Sequence, residues 1–196
     1  IGVCSVGLNH IDMDYAKEKG IQIFNAPGLN ANAVAELTIS KMLDISRGTM
    51  TANTDVKVKH EWDKYKFVGR ELRGKTLGVM GFGRIGRRVG ELGRAFGMTV
   101  VAYDPFLKAE DFEKEHATGM SIDELLKAAD FVSIHVPLTP ETKDLFNAKS
   151  IAEMKDDAVV LNMSRGGIVN EKDMYEALKA GKIGGYATDV MENELA

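Results

Sequence analysis

The stretch GFGRIG, residues 81–86, has the residue types and spacing to hold a pyrophosphate. It follows an apolar run, TLGVM, and opens a helical pattern, RIGRRVGELGRAF. In such a turn Gly81 permits the tight bend, Gly83 lets backbone approach the phosphates, and Gly86 lets the helix pack close to the strand. The first amides of the helix then face the negative charge. A plain strand-to-helix turn is the alternative, and the next element separates the two. Asp104 ends the run MTVVAYD about twenty residues further on, where an acid accepts hydrogen bonds from both hydroxyls of an adenosine ribose. Its charge repels a 2′-phosphate, and no Arg follows it in DPFLK, so NAD is expected over NADP. Taken alone, Asp104 would read as a loop cap before Pro105.

Further groups able to do chemistry stand where other apolar runs end. His135 and Pro137 open HVPLTPET, which continues to Thr142 and reads as a wall of the cofactor site; direct proton transfer by His135 is the competing reading. Ser164 and Arg165 lie in NMSRGG. There a guanidinium can grip a carboxylate in bidentate fashion and polarise a neighbouring carbonyl, the alternative being an Arg that caps carbonyls or pairs with a surface acid. Asp189 ends GGYATDV and can accept a hydrogen bond from a carboxamide. Glu194 follows, as an acid able to raise the pKa of a histidine or as an unremarkable acid of a terminal turn. His10 lies beside the segment SVG, while His60 and His116 fall in polar stretches and are expected to be solvated.

These positions need a scaffold that brings strand ends together. From Lys75 onward, short runs that are apolar at nearly every position alternate with amphipathic helical patterns. Strands buried on both faces of a parallel sheet have this appearance, so the fold class is α/β, a doubly wound Rossmann-type sheet. Ile85, Val89, Leu92 and Phe96 recur at helical spacing before Gly97, and Ser121 with Glu124 forms a capping box ahead of Leu125 and Leu126. Ligands in open α/β sheets collect outside the carboxyl ends of the strands, where every group named so far falls. Before Lys75 the character changes. IGVCS and IQIFN read as two short strands around a helix in DMDYAKEKG, NAPGLN as a turn-rich linker, and residues 31–47 as a long helix followed by a polar stretch to Trp62. Residues 1–28 are therefore expected to be a strip of a second domain with its hinge, and residues 29–196 the dinucleotide-binding domain.

Composition narrows the classes further. The 196 residues carry 25 Lys and Arg against 29 Asp and Glu, a formal net charge of −4, without the clustered basic face that nucleic acid requires. Cys4 is the only cysteine, which excludes an intrachain disulfide or a cysteine-built zinc site; no metal is expected. No run is long and apolar enough to span a membrane and no signal peptide is visible, so the expected location is the cytoplasm.

GFGRIG, YDP, HVPLTPET and NMSRGGIVNEKDMYEALKAGKIGGYATDV, with the earlier SVGLNHID and NANAVAELT, together resemble the D-2-hydroxyacid dehydrogenases along the whole chain. The resemblance implies a Rossmann NAD domain inserted into a flavodoxin-like substrate domain, with the active site in the cleft and a homodimer formed through the NAD domain, burying part of residues 31–62. It implies that Gly83, Arg84 and Ile85 lie at the pyrophosphate, Asp104 at the adenosine ribose and Asp189 at the nicotinamide amide. Arg165 would orient a 2-hydroxy or 2-oxo acid, and the backbone amides of Ser5, Val6 and Gly7 would hold its carboxylate. Glu194 would pair with the family's catalytic histidine, which is expected in a Pro-His pair beyond Ala196. Some seventy residues of substrate domain are likewise expected before Ile1. Leu195 stands where the family often has Pro, and Val3 where phosphoglycerate-type members carry Arg, which disfavours a phosphorylated substrate. A non-catalytic, NAD-responsive interaction module on the same scaffold is the alternative function.

Overall fold

The apolar runs become six strands, β1 (Thr76–Met80), β2 (Thr99–Tyr103), β3 (Thr118–Gly119), β4 (Phe131–Ile134), β5 (Ala158–Asn162) and β6 (Ile183–Thr188). The structure, a computed structural model, describes residues 1–8 and 10–194. The strands pair in the order β3-β2-β1-β4-β5-β6, every pair parallel. Parallel neighbours cannot be joined by tight turns and need crossovers. The helices are α1 (Met13–Glu18), α2 (Ala31–Arg47), α3 (Thr49–Thr54), α4 (Arg84–Ala95), α5 (Ala109–Lys114), α6 (Ile122–Ala128), α7 (Ala148–Glu153) and α8 (Glu171–Lys179). The expected capping box starts α6: the Ser121 amide donates to Glu124 Oε2 at 2.9 Å and the Glu124 amide to Ser121 Oγ at 3.4 Å.

Alternation along the strands sends side chains to two cores, one on each face of the sheet. Leu77 and Val79 of β1 pack with Ala35, Ile39 and Met42 of α2 and Val89 of α4, whereas Met80 packs with Leu125 and Ile134 on the other face. The long helix α2 thus lies on the sheet beside α4. At the amino ends of the strands, Asp130 Oδ2 accepts from the Thr76 amide at 2.7 Å and its Oδ1 from Lys155 Nζ at 3.1 Å, which ties β1, β4 and β5 together.

Three expectations need correcting. The segments IGVCS and IQIFN do not form strands: they meet at a single bridge, Gly2 with Phe24, with Val3 donating to the Phe24 carbonyl and Phe24 to that of Ile1. A strand pair is stable when its faces are buried, and here Ile1 and Phe24 stay exposed. Phe96 follows α4 but is 41% exposed, since the chain leaves the helix there and turns at Gly97. The polar stretch to Trp62 holds α3 and a π turn over Asp55–Lys59, centred on the buried Asp55, which accepts from Lys59 at 2.7 Å and Lys66 at 2.5 Å. These two ammonium groups hold the Asp55 carboxyl below its usual range.

Candidate active site

β1 and β4 are neighbours whose connections leave in opposite directions along the sheet, so a crevice opens beyond their carboxyl ends. The glycine turn leaves β1 there. Gly81 has φ of 87°, donates its amide to the Tyr103 carbonyl at 2.8 Å, and would place a Cβ 2.7 Å from the His135 carbonyl oxygen. At Gly86 a Cβ would collide with the Gly81 carbonyl, so only glycine lets α4 start this close to the turn. No side chain caps the N-terminus of α4, which leaves its first amides directed at the crevice.

Asp104 ends β2 beside this turn. Its Oδ2 accepts from the Phe82 amide at 3.0 Å and its Oδ1 from the Phe106 amide at 3.0 Å. Each oxygen retains a lone pair for a ligand hydroxyl. A cavity of about 630 Å³ opens in front of it, lined among others by Gly81, Gly83, Asp104, Phe106, Pro137 and Thr142. The Thr142 hydroxyl donates to the Pro137 carbonyl at 2.7 Å and accepts from the Thr139 amide at 2.8 Å, so the TPET turn is held as a fixed wall.

A second cavity, of about 610 Å³, continues on the other side of His135. Ser5, Val6, Gly7 and His10 line it from the N-terminal strip, Ile85 from α4, and Ser164 and Arg165 from the turn after β5. His135 and Pro137 border both cavities. The His135 ring bonds Ser133 Oγ through Nε2 at 2.7 Å, and its Nδ1 is buried with no partner among the described residues. Burial pushes its pKa down to about 4, so the imidazole is neutral near pH 7. A group this reluctant to be protonated is poorly suited to donating a proton near pH 7.

The remaining site residues are placed as follows. Arg165 is exposed and donates from Nη1 to the Ser164 carbonyl at 2.7 Å. Arg84 turns away from the glycine turn and donates to the Pro27 carbonyl at 2.9 Å, joining the start of α4 to the segment that precedes α2. The 5–7 segment is pinned by Ser5 Oγ donating to the Gly7 carbonyl at 3.1 Å and by Asn25 Nδ2 donating to that of Val6 at 2.9 Å. Asp189 is exposed, and its amide donates to the Asn162 carbonyl at 3.1 Å. Glu194 accepts from the Met191 amide at 3.2 Å, inside its own turn. Neither acid lines the two cavities. Leu195, expected to replace a family Pro, lies outside the described residues.

Sequence reasoning missed Ser133, Asn162, Phe106 and two residues that also line the Arg165 cavity, Asn30, just before α2, and Val34 of α2. Ser133 and Asn162 carried a signal, as polar residues inside otherwise apolar strands. Asn30 and Val34 carried none, because their place depends on where α2 crosses the sheet.

Residues 39–196 match the family described as D-isomer specific 2-hydroxyacid dehydrogenase, NAD binding domain. The chain belongs to this family. This dehydrogenase-family chain is 46% identical over 195 residues to the D-3-phosphoglycerate dehydrogenase of Methanocaldococcus jannaschii, across 99% of the chain and 37% of that protein. It is 42% identical over 194 residues to the hydroxypyruvate reductase of Thermotoga maritima, across 99% of the chain and 62% of that protein. A solved D-lactate dehydrogenase from Aquifex aeolicus, complexed with NAD and lactic acid, superposes with a TM-score of 0.86 at 40% identity, over 99% of this chain and 58% of that one. The chain thus spans between 37% and 62% of the length of these relatives. The residues present fit NAD: two glycines where a Cβ would block the phosphate turn, an open helix N-terminus, and a carboxylate in front of a cavity.

Proposed function

We propose that this chain is the cofactor-binding part of an enzyme that transfers a hydride between NAD(H) and C2 of a small 2-hydroxy or 2-oxo acid. The observation that carries this reading is the continuity of the crevice: from Asp104, past the glycine turn and His135, to Arg165. NAD(H), when bound, supplies or takes up the hydride. In this reading Gly81, Gly83, Ile85 and Gly86 seat the pyrophosphate, with Arg84 as an additional cation once released from Pro27. Asp104 holds the adenosine ribose, Pro137 and Thr142 wall the adenosine side, and His135 with Ser164 lines the passage to the reacting end. Asp189 takes the carboxamide. Arg165 grips the acid's carboxylate and polarises its carbonyl, and the amides of Ser5, Val6 and Gly7, which make no hydrogen bond among the described residues, complete the carboxylate site. A neutral His135 leaves the proton to a histidine outside this chain, with Glu194 as its partner. Val3 favours a substrate without a phosphate. Residues 1–28 then belong to the substrate domain and 29–196 to the NAD domain.

The same proposal includes a homodimer in the cytoplasm. Met50, Val56, Val58, Trp62, Tyr65 and Val68, on and after α3, are all exposed, Trp62 by 82%, and burying such residues against a second copy is the gain the proposal relies on. Among the described residues no helix is long and apolar enough to cross a membrane, and no group of side chains is arranged to hold a metal ion.

Calorimetric titration with NAD and NADP, beside a reductase assay on glyoxylate, hydroxypyruvate and pyruvate, tests the reading. Binding of NAD in preference to NADP is expected. No NAD binding at millimolar concentration would sink it, and brisk turnover by this chain alone would show that a group within it moves the proton.

A further inference from the structure

β5 and β6 end level, with Asn162 opposite Thr188 in the register. Beyond them run the two segments that bear Arg165 and Asp189. The pattern AVVLN puts an apolar residue at every β5 position except the last, and that exception is 1% exposed. A buried amide is costly unless its polar atoms are bonded, and those of Asn162 are. Its Nδ2 donates to the Arg165 carbonyl at 2.9 Å, and its Oδ1 accepts from the Ser164 amide at 3.2 Å and the Ser164 hydroxyl at 3.1 Å. Its backbone carbonyl accepts from the Asp189 amide at 3.1 Å and the Thr188 hydroxyl at 3.2 Å. The Thr188 oxygen in turn accepts from the Val190 amide at 3.2 Å. One residue therefore anchors the roots of both segments.

The tips are joined as well. A Cβ at Gly166 would collide with the Met191 carbonyl and lie 3.0 Å from the Glu192 nitrogen, so the two segments touch backbone to backbone. The Glu192 amide donates to Glu171 Oε1 at 2.8 Å, fixing the second segment to the start of α8.

We propose that Asn162 and Gly166 are positioning residues that hold the Arg165 turn and the Asp189 segment as one unit, so that the group gripping the acid and the group facing the nicotinamide keep a fixed spacing. The spacing matters because hydride transfer demands a near-attack geometry between two separately bound molecules. The assignment of Arg165 and Asp189 to acid and nicotinamide rests on the function proposed above; the coupling of the segments does not.

The test uses the full chain with Asn162→Leu and Gly166→Ala. Asn162→Leu keeps about the same volume but removes both the donor to the Arg165 carbonyl and the acceptor of the Ser164 amide, and Gly166→Ala forces the tips apart. Amide hydrogen exchange is expected to quicken by about tenfold or more at Ser164, Asp189 and Val190 together in each variant, while Val79 and Val132 in the central strands exchange as before. A response confined to the substituted segment, or an equal rise in the central strands, would overturn the proposal. A spectroscopic arm separates positioning from stability. In the wild type, NAD should shift the Asp189 amide and Arg165 Nε–H resonances along one binding curve; in Gly166→Ala the Asp189 signal should follow NAD and the Arg165 signal should not. If both still move together in that variant, the tip contact positions nothing. A wild type that does not respond to NAD would instead defeat the proposed function, and the exchange result would still decide the coupling.

Discussion

The Asp104 cavity and the Arg165 cavity meet at His135 but are built differently. The side of the first nearest Asp104 comes from the turn after β1 and the end of β2 and is mostly backbone, the amides of α4, the Gly81 bend and a carboxylate held by two amides, with His135 and the TPET turn closing it opposite. The second is assembled from five separate stretches: Ser5 to Gly7 with His10, Asn30 with Val34, Ile85, His135 to Pro137, and Met163 to Arg165. A floor of backbone tolerates almost no added atom. A wall of side chains brought from distant segments tolerates substitution but depends on what holds the segments in place.

This contrast can be broken most forcefully at Gly81. Gly81→Ala adds a Cβ 2.7 Å from the His135 carbonyl at a φ of 87°, where a non-glycine residue is already strained by about 1–2 kcal/mol. NAD affinity measured by calorimetry should fall by about a hundredfold or more; unchanged affinity would mean the turn does not seat the phosphates.

Asp104→Asn comes next. It removes the charge from hydrogen bonds to the ribose, and charge-assisted bonds contribute about 1.5–3 kcal/mol each, so NAD affinity should drop roughly tenfold while the preference over NADP narrows. If NAD and NADP weaken equally in titrations of this variant, Asp104 is not the discriminating group.

His135, on the border, has a stability signature. Its folded pKa of about 4 lies below the usual value of 6.5, so the unfolded chain takes up the proton first as the pH falls. The contribution is present above about pH 6.5 and is lost between there and about pH 4. At about 1.4 kcal/mol per tenfold change in proton affinity the upper bound is about 3.5 kcal/mol, and the part of the residue that meets solvent reduces this to about 1–2 kcal/mol. Urea denaturation of His135→Gln at pH 7.5 and 5 should show a smaller difference between the two pH values than the wild type; an identical slope would place the ring in water.

The smallest effect on cofactor affinity is expected at Arg165. Arg165→Gln should leave the NAD dissociation constant within about twofold while weakening the binding of oxamate, a carboxylate probe, to the NADH-loaded chain. A large loss of NAD affinity would mean that the two cavities are not separable in this way.

Legibility in the sequence follows the same division. GFGRIG and the acid ending β2 could be recognised because the chemistry is local: a bend, a helix start and a strand end lie within a single βαβ unit. The alternation of buried strands and amphipathic helices likewise announced the parallel sheet, since parallel strands need crossovers and both faces need cover. The N-terminal strip misled, because IGVCS and IQIFN have strand-like composition and composition does not supply a neighbouring strand. Phe96 misled because helical spacing extends past the residue at which the chain leaves the helix.

By itself, then, the amino-acid order determined the α/β class, the glycine turn that ends β1, NAD as the cofactor and the family. Only the tertiary structure decided that His135 is neutral and shared by two cavities, that Arg84 reaches the Pro27 carbonyl, and that Asn162 bonds to both the Arg165 turn and the Asp189 segment. The reason is physical. Backbone propensity and side-chain periodicity act over a few residues and are written in neighbouring letters. Burial, and the partners left to a buried polar atom, depend on segments far apart in the chain that meet only when the sheet is complete.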